Sequence, residues 1–480
     1  MSSTPGTISS AEAPRLRRAL TLWNLVIIGI IMIQPIAPMG IYGVISNKAQ
    51  GHVVSTILIA MVAMLFTAIS YGRMARVYPS AGSAYTYVGQ EIHPALGYIT
   101  GWSMVMDYVL NPLICVAICS KLTMNILPIF PFYVWVLFFA TFFTVLNLRG
   151  IKTSAQFNEW LCAGMMVVVV IFFGVVIRYL WGLKTYGPGF FSQPFYNPET
   201  FNTSRLFAGT SVAVLTYIGF DGISTLSEEA ENPRRNILLA TVLVCVITGV
   251  LSSLEVYGAQ LVWGSQPFPS DKVESAFVLI SEKAGGIILY HVINFTILIA
   301  SIGSGMGTQL AAGRLLYGMG RGNALPKSFF GAIEPKRRIP RNNIIAVGVF
   351  ALAGSSLLEL LAGKLGGGAY EIGAQALNFG AFIAFMGVNA SAIAYWIKSE
   401  AEQRRANDSS HSVRGSLARI FIYLLPPVAG FVICGYIWLK LSMPAKIVGA
   451  IWMAAGISYG AIKTKGFRSE LINFDMPPEE

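Results

Sequence analysis

The chain has 480 residues, of which 54% are hydrophobic and only 12% are charged, and its formal net charge is +11 at pH 7. An ordinary soluble domain has about 25% charged residues, so this composition excludes such a domain and indicates an integral membrane protein. The five cysteines all lie in apolar runs and form no CxxC pair. This pattern supports neither a disulfide framework nor a metal site.

Twelve apolar runs are long enough to cross a bilayer, which takes about 17 to 25 residues. They cover residues 22–46, 53–77, 95–127, 132–149, 156–182, 206–229, 237–262, 286–317, 342–361, 371–396, 417–438 and 443–463. The sequence therefore predicts an all-α integral membrane protein with twelve transmembrane segments, numbered 1 to 12 below.

The basic residues are divided unevenly between the two ends of these segments. If the N-terminus is cytoplasmic, 24 of the 34 Lys and Arg residues face the cytoplasm and 10 face outside. This satisfies the positive-inside rule and predicts a multi-pass protein of the plasma (inner) membrane with both termini in the cytoplasm. The excess charge then faces the anionic leaflet of the lipid bilayer, so nucleic acid is not needed as a partner.

Segments 1 and 6 are each interrupted near their middle. The first break is Gln34-Pro-Ile-Ala-Pro-Met-Gly40, and the second is Gly219-Phe-Asp-Gly222. Irregular backbone survives at membrane depth only where it lines a cavity, and paired interruptions of this kind point to a transporter's substrate site. The predicted substrate-binding residues from the two breaks are Gln34, Ile36, Ala37, Met39, Gly40, Thr216, Tyr217, Gly219, Phe220 and Asp221.

Three motif groups resemble those of the amino acid, polyamine and organocation (APC) permeases. They are Phe66-Thr-Ala-Ile-Ser-Tyr-Gly-Arg-Met-Ala-Arg-Val-Tyr-Pro79 followed by Ala81-Gly-Ser-Ala-Tyr-Thr-Tyr87; Gly219-Phe-Asp221 with Ser227-Glu-Glu229 and Asn232-Pro-Arg234; and Arg314-Leu-Leu-Tyr317 through Arg321-Gly-Asn-Ala-Leu-Pro326. The resemblance covers nearly all of residues 20 to 463. Within the family, the chain is most similar to bacterial putrescine importers and amino-acid permeases.

The resemblance implies a leucine-transporter-type fold with a 5+5 inverted repeat. The first repeat would span residues 21–182, the second 205–396, and segments 11 and 12 would follow at 417–463. Residues 1–20 and 464–480 would be cytoplasmic tails. The broken segments are then segments 1 and 6 of the two repeats.

Two carboxylates lie near the predicted midplane. Asp107 is in the middle of segment 3, where a lone acid costs at least about 2.5 kcal/mol and is functional by default. A structural acid held by an interhelical hydrogen bond is the alternative. Asp221 lies in the second break, where it takes an amine, takes a proton, or caps free amide groups. Both acids are candidates for substrate binding and coupling.

Further candidates come from the surrounding segments. In the resembling family this part of segment 3 contributes to the substrate pocket, which adds Tyr108 and Asn111. The small residues around Ser304 and Thr308 favour close helix packing, and this shared face also lines the predicted pocket, as does Asn378. Glu228 and Glu229 are candidates for coupling or gating. Lys121 and Glu255, placed near helix ends, receive no function.

A secondary transporter is the leading prediction. Its substrate would be an amino acid, a polyamine or a related small amine, moved by alternating access with proton coupling or exchange. The first break lacks the family's Gly-Ser-Gly triplet, Gly40 stands where the putrescine importers carry an acid, and segment 5 has no lysine between Glu159 and Ile177. The substrate and the coupling ion therefore stay open.

The alternatives are a channel and an intramembrane enzyme. A channel would show rings of like charge or a repeated filter motif, and an enzyme would show convergent catalytic groups such as HExxH. Neither is visible, and no GxxxxGK[ST] loop indicates an ATP-driven pump. The sequence thus predicts no catalytic residue, no metal and no cofactor.

Overall fold

The computed structural model describes residues 20–79, 82–149, 152–183, 185–227, 230–269, 272–334, 337, 339–365, 369–405 and 419–466. Within these ranges the side chains of 125, 152–158, 362–365, 369, 403 and 404 are not described. The described residues form helices and no strand; the only bridges among them are the isolated pairs Leu20 with Ala230 and Glu334 with Ile339.

The described helices follow one another with short connections. Those of the first half are α1 (Leu22–Ile33), α2 (Tyr42–Ala49), α3 (Val53–Val77), α4 (Ser83–Glu91), α5 (Pro94–Ile126), α6 (Phe132–Arg149) and α7 (Lys152–Gly182). Those of the second half are α8 (Thr203–Ala213), α9 (Pro233–Trp263), α10 (Ala276–Arg321), α11 (Lys327–Phe330), α12 (Arg341–Leu365), α13 (Ala369–Arg405), α14 (Leu425–Leu439) and α15 (Met443–Lys463). A π-helical turn, Ile420–Leu424, precedes α14.

Twelve stretches of the described chain are helical, long and apolar enough to span a membrane. The prediction of an all-α, twelve-span membrane protein is therefore confirmed. The largest difference from the predicted segments is in α10, which begins at Ala276 and not at residue 286. Its backbone leaves helical geometry at Gly286, with φ 71°, so the predicted start of segment 8 marks a kink that glycine allows.

Local signals fix several helix ends. The Asn202 side chain accepts a hydrogen bond from the amide of Arg205 at 3.0 Å and so caps the start of α8. His93 caps α5 in the same way, and Pro94 fills the first helical position, where no amide donor is needed. At the end of α2, Gln50 adopts a left-handed conformation and stops the helix.

Helix α5 lies at the centre of the bundle, packed against α10, α12 and α13, while α3 packs along α9. Glycines permit the close approaches. A Cβ on Gly380 of α13 would lie 2.5 Å from the carbonyl oxygen of Ser103 in α5, and one on Gly72 of α3 would lie 2.5 Å from the Cα of Leu238 in α9. Small residues at such crossings are typical of membrane helix packing.

Both ends of the described chain lie at one end of the bundle, called the terminal end below. The amide of Glu231, before α9, donates to the Leu20 carbonyl at 2.9 Å, and Lys463 donates to the carbonyl of Asn323, just after α10. The start of α9 and the end of α10 lie at the same end, because these consecutive spans run in opposite directions. The division into two inverted repeats stays a prediction.

Candidate substrate site

The first break interrupts α-helical geometry between α1 and α2. Gln34 has φ 76° and ψ 130°, and a short 3-10 turn, Ala37–Gly40, precedes α2. Pro35 and Pro38 have no amide hydrogen to donate, so a continuous helix cannot form here. The Gln34 side chain donates to the carbonyl of Ala300 in α10, which ties the break to a neighbouring span.

The second break follows α8. A 3-10 turn, Val214–Tyr217, leads to Gly219 with φ 118°, and a second 3-10 stretch covers Phe220–Leu226. Such a φ is accessible to glycine and is costly for other residues. A Cβ on Gly219 would lie 3.3 Å from the carbonyl carbon and oxygen of Met32, at the end of α1. The two breaks therefore lie directly against each other.

A cavity opens beside the paired breaks, with about 80 Å³ available to the centres of water-sized molecules. Residues of both interrupted stretches line it, together with residues of α5, α10 and α13. The wall is mostly aliphatic and contains no charged side chain among the described residues. Its members are Met32, Ile33, Gln34, Ile36, Ala37, Gly40, Asn111, Ile114, Cys115, Ile118, Leu215, Ile218, Ile297, Ala300, Ser301, Ser304, Tyr370 and Leu377.

Asn111 is the centre of the polar part of this wall. Its Oδ1 atom accepts hydrogen bonds from the hydroxyls of Ser304 at 3.4 Å and Thr308 at 3.2 Å, and from the Cys115 thiol at 3.2 Å. The structure thus brings the predicted residues Asn111, Ser304 and Thr308 together across α5 and α10. Asn111 and Ser304 reach the cavity, whereas Thr308 lies behind them.

Asp221 and Asp107 lie outside the cavity wall, with 2% and 3% of their surfaces exposed. Asp221 Oδ2 accepts a hydrogen bond from the Tyr108 hydroxyl at 3.1 Å, and its Oδ1 accepts one from the Gly219 amide at 3.3 Å. Asp221 therefore bonds to an amide inside the break, whereas capping of the amides that follow it stays a prediction. The two carboxyl groups are close enough to interact electrostatically, so α5 and the second break share a buried acidic centre.

Other predicted residues, from the breaks and from α13, are buried behind the wall. Tyr217 donates to the carbonyl of Ile57 at 2.8 Å, and Asn378 donates to the carbonyl of Ser211 at 2.7 Å, so both side chains connect helices in this conformation. Met39, Thr216 and Phe220 have at most 2% of their surfaces exposed. Glu228 and Glu229 lie outside the described residues.

Tyr370 and Ser301 line the cavity but were missed in the sequence. Ser301 lies one turn before Ser304 on the same face of α10, a spacing that would have revealed it. Tyr370 begins the α13 span, and its hydroxyl lies 3.5 Å from the position that a Cβ on Gly40 would occupy. Its role depends on a contact with the first break that no local pattern shows.

An ion-pair cluster lies beside the cavity, on the side away from the terminal end. Lys121 Nζ lies 2.8 Å from Glu274 Oε2 and 3.1 Å from Glu359 Oε2, and Glu274 also accepts a hydrogen bond from the Tyr370 amide at 3.3 Å. Lys121 is one turn beyond Ile118 on the cavity face of α5. Two acids from distant parts of the chain therefore hold Lys121, which the sequence placed near a helix end without a function.

The chain was compared with known protein families and with characterised proteins. The profile of the family described as amino acid permease matches residues 21–469. The low-affinity putrescine importer PlaP of Escherichia coli (strain K12) is 32% identical over 461 residues, which cover 96% of each chain. The branched-chain amino acid permease BcaP of Lactococcus lactis is 26% identical over 85% of this chain and 86% of its own.

A methylthioribose transporter of Bacillus subtilis is 22% identical over 93% of this chain and 94% of its own. These full-length relatives are all named as permeases, importers or transporters, and none supports the channel or enzyme alternatives. The family profile covers nearly the whole chain. The twelve spans and the cavity between two interrupted stretches agree with that match. The chain belongs to the amino acid permease family, and it is a multi-pass membrane transporter.

Proposed function

We propose that the protein is a secondary transporter that imports or exchanges a small amine-bearing solute by alternating access around the cavity at the two breaks. This proposal rests on one observation: residues of both interrupted stretches line the same cavity. Half-helix ends offer free amide and carbonyl groups, which suit a carboxylate and an ammonium respectively. A zwitterionic amino acid presents both groups.

The lining favours a neutral amino acid with an aliphatic side chain. Ile33, Ile36, Ile114, Ile118 and Ile297 form much of the wall, and burying apolar surface there contributes roughly 25 cal/mol per Å². The described lining offers no carboxylate for a second ammonium group.

Putrescine is the second candidate, because the relative that matches over 96% of the chain is a putrescine importer. A diamine would need Asp221 and Asp107 to become accessible in another conformation. The Tyr108 hydroxyl is bonded to Asp221, so Tyr108 would have to move before a diamine could reach these acids.

We further propose a plasma-membrane location with the terminal end in the cytoplasm. The charge division of the sequence supports this orientation, and the bacterial relatives support the compartment. The two inverted repeats, residues 21–182 and 205–396, and the substrate roles of the residues beside the breaks belong to the same proposal. Glu228 and Glu229 keep their proposed coupling role.

Thermal unfolding of the purified protein tests substrate class directly. A ligand that binds only the folded state stabilises it by about 2.7 kcal/mol at 100 times its Kd. We expect leucine, isoleucine or valine to raise the unfolding temperature more than putrescine does, and Asn111→Leu to abolish the shift. Glu282→Gln, an exposed change on α10, is the matched control. Stabilisation by putrescine alone would select the second candidate, and stabilisation by no amine would contradict the proposal.

A further inference from the structure

Glu255 of α9 is completely buried, and neither of its carboxylate oxygens has a hydrogen-bond partner among the described residues. It lies about two turns before the end of α9 at Trp263, as expected from its predicted position near the end of segment 7. An unpaired, buried carboxylate charge costs several kcal/mol. In this conformation the group therefore carries a proton.

The elements facing Glu255 bring no compensating charge. Helix α1, the 3-10 turn Ala37–Gly40 and the half of α3 nearest this level contain no titratable side chain. The adjoining 3-10 stretches carry Tyr217 and Asp221, whose bonds go to Ile57, Tyr108 and Gly219. None of these groups bonds to Glu255.

Helices α7 and α10 complete the surroundings. Arg178 on α7 and Glu282, Lys283 and His291 on α10 are exposed, and so point away from the buried face of α9. Tyr179 and Tyr290 are half-buried and make no hydrogen bond to Glu255.

Glu255 lies at the level of the first break. On one side of it along α9, Val244 Cγ2 lies 2.7 Å from the position that a Cβ on Gly29 of α1 would occupy. On the other side, Gln260 accepts a hydrogen bond from the Tyr42 hydroxyl of α2 at 2.5 Å. Since α1 and α9 run in the same direction, residues 252–255 lie beside the stretch between α1 and α2.

A buried polar stripe connects this position with the acidic centre. Cys245, Thr248, Ser252 and Glu255 follow at intervals of three and four residues, which places them on one face of α9, and all are at most 3% exposed. Helix α9 packs against the 3-10 stretch that contains Asp221, and the hydroxyl of Ser252 has no hydrogen-bond partner among the described residues. About 15 Å of helix separates Cys245 from Glu255.

We propose that Glu255 is a proton-binding site of the transport cycle, a proposal that rests on the transporter function proposed above. Its carboxylate takes up one proton from the side away from the terminal end and releases it on the other side, with no other bond made or broken. A proton needs a single acceptor, whereas a hard metal cation needs about six oxygen ligands, and the stripe supplies one carboxylate.

Proteoliposomes test this assignment, with radiolabelled leucine and putrescine as probes. The wild type and the control Glu282→Gln should accumulate the transported probe several-fold when the external pH is lowered. Glu255→Gln should lose this response but keep exchange of labelled for unlabelled probe, since exchange needs no net proton movement. Glu255→Asp should keep the response to external pH, with a displaced pH profile. This variant keeps the test valid if Glu255→Gln folds poorly.

A second measurement does not depend on transport. Unfolding transfers Glu255 to water, where a carboxyl group ionises above about pH 4.3, so unfolding releases a proton and the wild type loses stability as pH rises from 5 to 8. The unfolding temperature of wild type and Glu282→Gln should therefore fall with pH relative to that of Glu255→Gln.

The outcomes separate the two proposals. Parallel pH curves for wild type and Glu255→Gln, or an unchanged response of that variant to the pH gradient, would overturn the role of Glu255 while leaving the transporter function intact. Accumulation driven by a sodium gradient and lost in Glu255→Gln would overturn the proton in favour of sodium. A wild type that exchanges no probe, yet shows the pH-dependent stability difference, would contradict the transporter function alone.

Discussion

At the scale of single residues, Asp221 has two roles: it supports the backbone of the second break, and it is a buried acid that could bind an ammonium group or a proton. One carboxylate oxygen accepts the Gly219 amide and so stabilises the second break, while the other accepts the Tyr108 hydroxyl. Asp107 interacts electrostatically with it from α5. A substrate ammonium or a proton that reaches this pair would relieve the repulsion between the two acids.

The variants Asp107→Asn and Asp221→Asn preserve shape and remove the charge. We expect at least one of them to lower transport by more than tenfold, because an amide neither accepts a proton in this pH range nor attracts an ammonium group. Uptake into proteoliposomes from pH 5 to 8, with unfolding temperature as the folding control, checks this. Normal uptake by both variants across that range would show that the acids are structural.

Glu91 offers a test of stability away from the cavity. Its buried carboxylate accepts the Tyr78 hydroxyl at 2.7 Å and lies 3.1 Å from Lys398 Nζ of α13. Glu91→Ala should destabilise the protein by about 2 kcal/mol, since hydrogen bonds to charged groups contribute about 1.5–3 kcal/mol each. Lys398→Met should cost less than about 1 kcal/mol, because that side chain is more than half exposed. Equal effects in chemical denaturation would contradict the assignment.

The sequence predicted Gln34 and Ser304 beside the cavity because a backbone interruption and helix-face spacing are local signals, whereas Asn111 was predicted from the family resemblance. Tyr370 was missed because its position depends on packing against Gly40 across distant parts of the chain. Glu255 was given no function for the same reason: its distance from charged partners becomes visible only when α9 is packed between α1, α3 and α7.

At the scale of elements, the cluster of Lys121, Glu274 and Glu359 joins α5, the connection before α10, and α12. Replacing Lys121 with Met removes both ion pairs and should loosen this side of the cavity. Partly exposed pairs contribute about 0.2–1 kcal/mol each, so losing both should make opening roughly two- to thirtyfold more frequent.

Labelling of Ala37→Cys in a version without native cysteines measures this opening. A membrane-impermeant thiol reagent added outside should react faster when Lys121→Met is present, and Lys446→Met, a change at a half-buried lysine at the same end, is the control. Identical labelling rates in the three backgrounds would show that the cluster does not restrict access.

The interruptions between α1 and α2 and after α8 were predictable because proline and glycine act on their own backbone. The ion-pair cluster was not, because Lys121 and its partners are more than 150 residues apart in sequence. A charged residue near a predicted span end gives no sign of which distant acid will meet it.

At the scale of the whole molecule, twelve spans return both ends of the chain to one side. The charge division predicts that this side is the cytoplasm. Single cysteines at Ser3, Asn407 and Pro478 in a version without native cysteines should resist impermeant reagents in intact cells and react after permeabilisation. Labelling of both tails from outside would reverse the orientation.

The number of spans was predictable because a bilayer requires about 20 apolar residues for each crossing. The arrangement of the spans around α5 was not, because small residues permit close contact between many pairs of helices without selecting one pair.

Uptake by the purified protein in proteoliposomes, without ATP, tests the central claim of solute transport by alternating access most directly. Vesicles loaded with unlabelled leucine or putrescine and diluted into labelled solute should show saturable counterflow, with label rising transiently above its equilibrium level because each inward step is coupled to an outward one. Linear, unsaturable flux without this overshoot would contradict alternating access and indicate a pore.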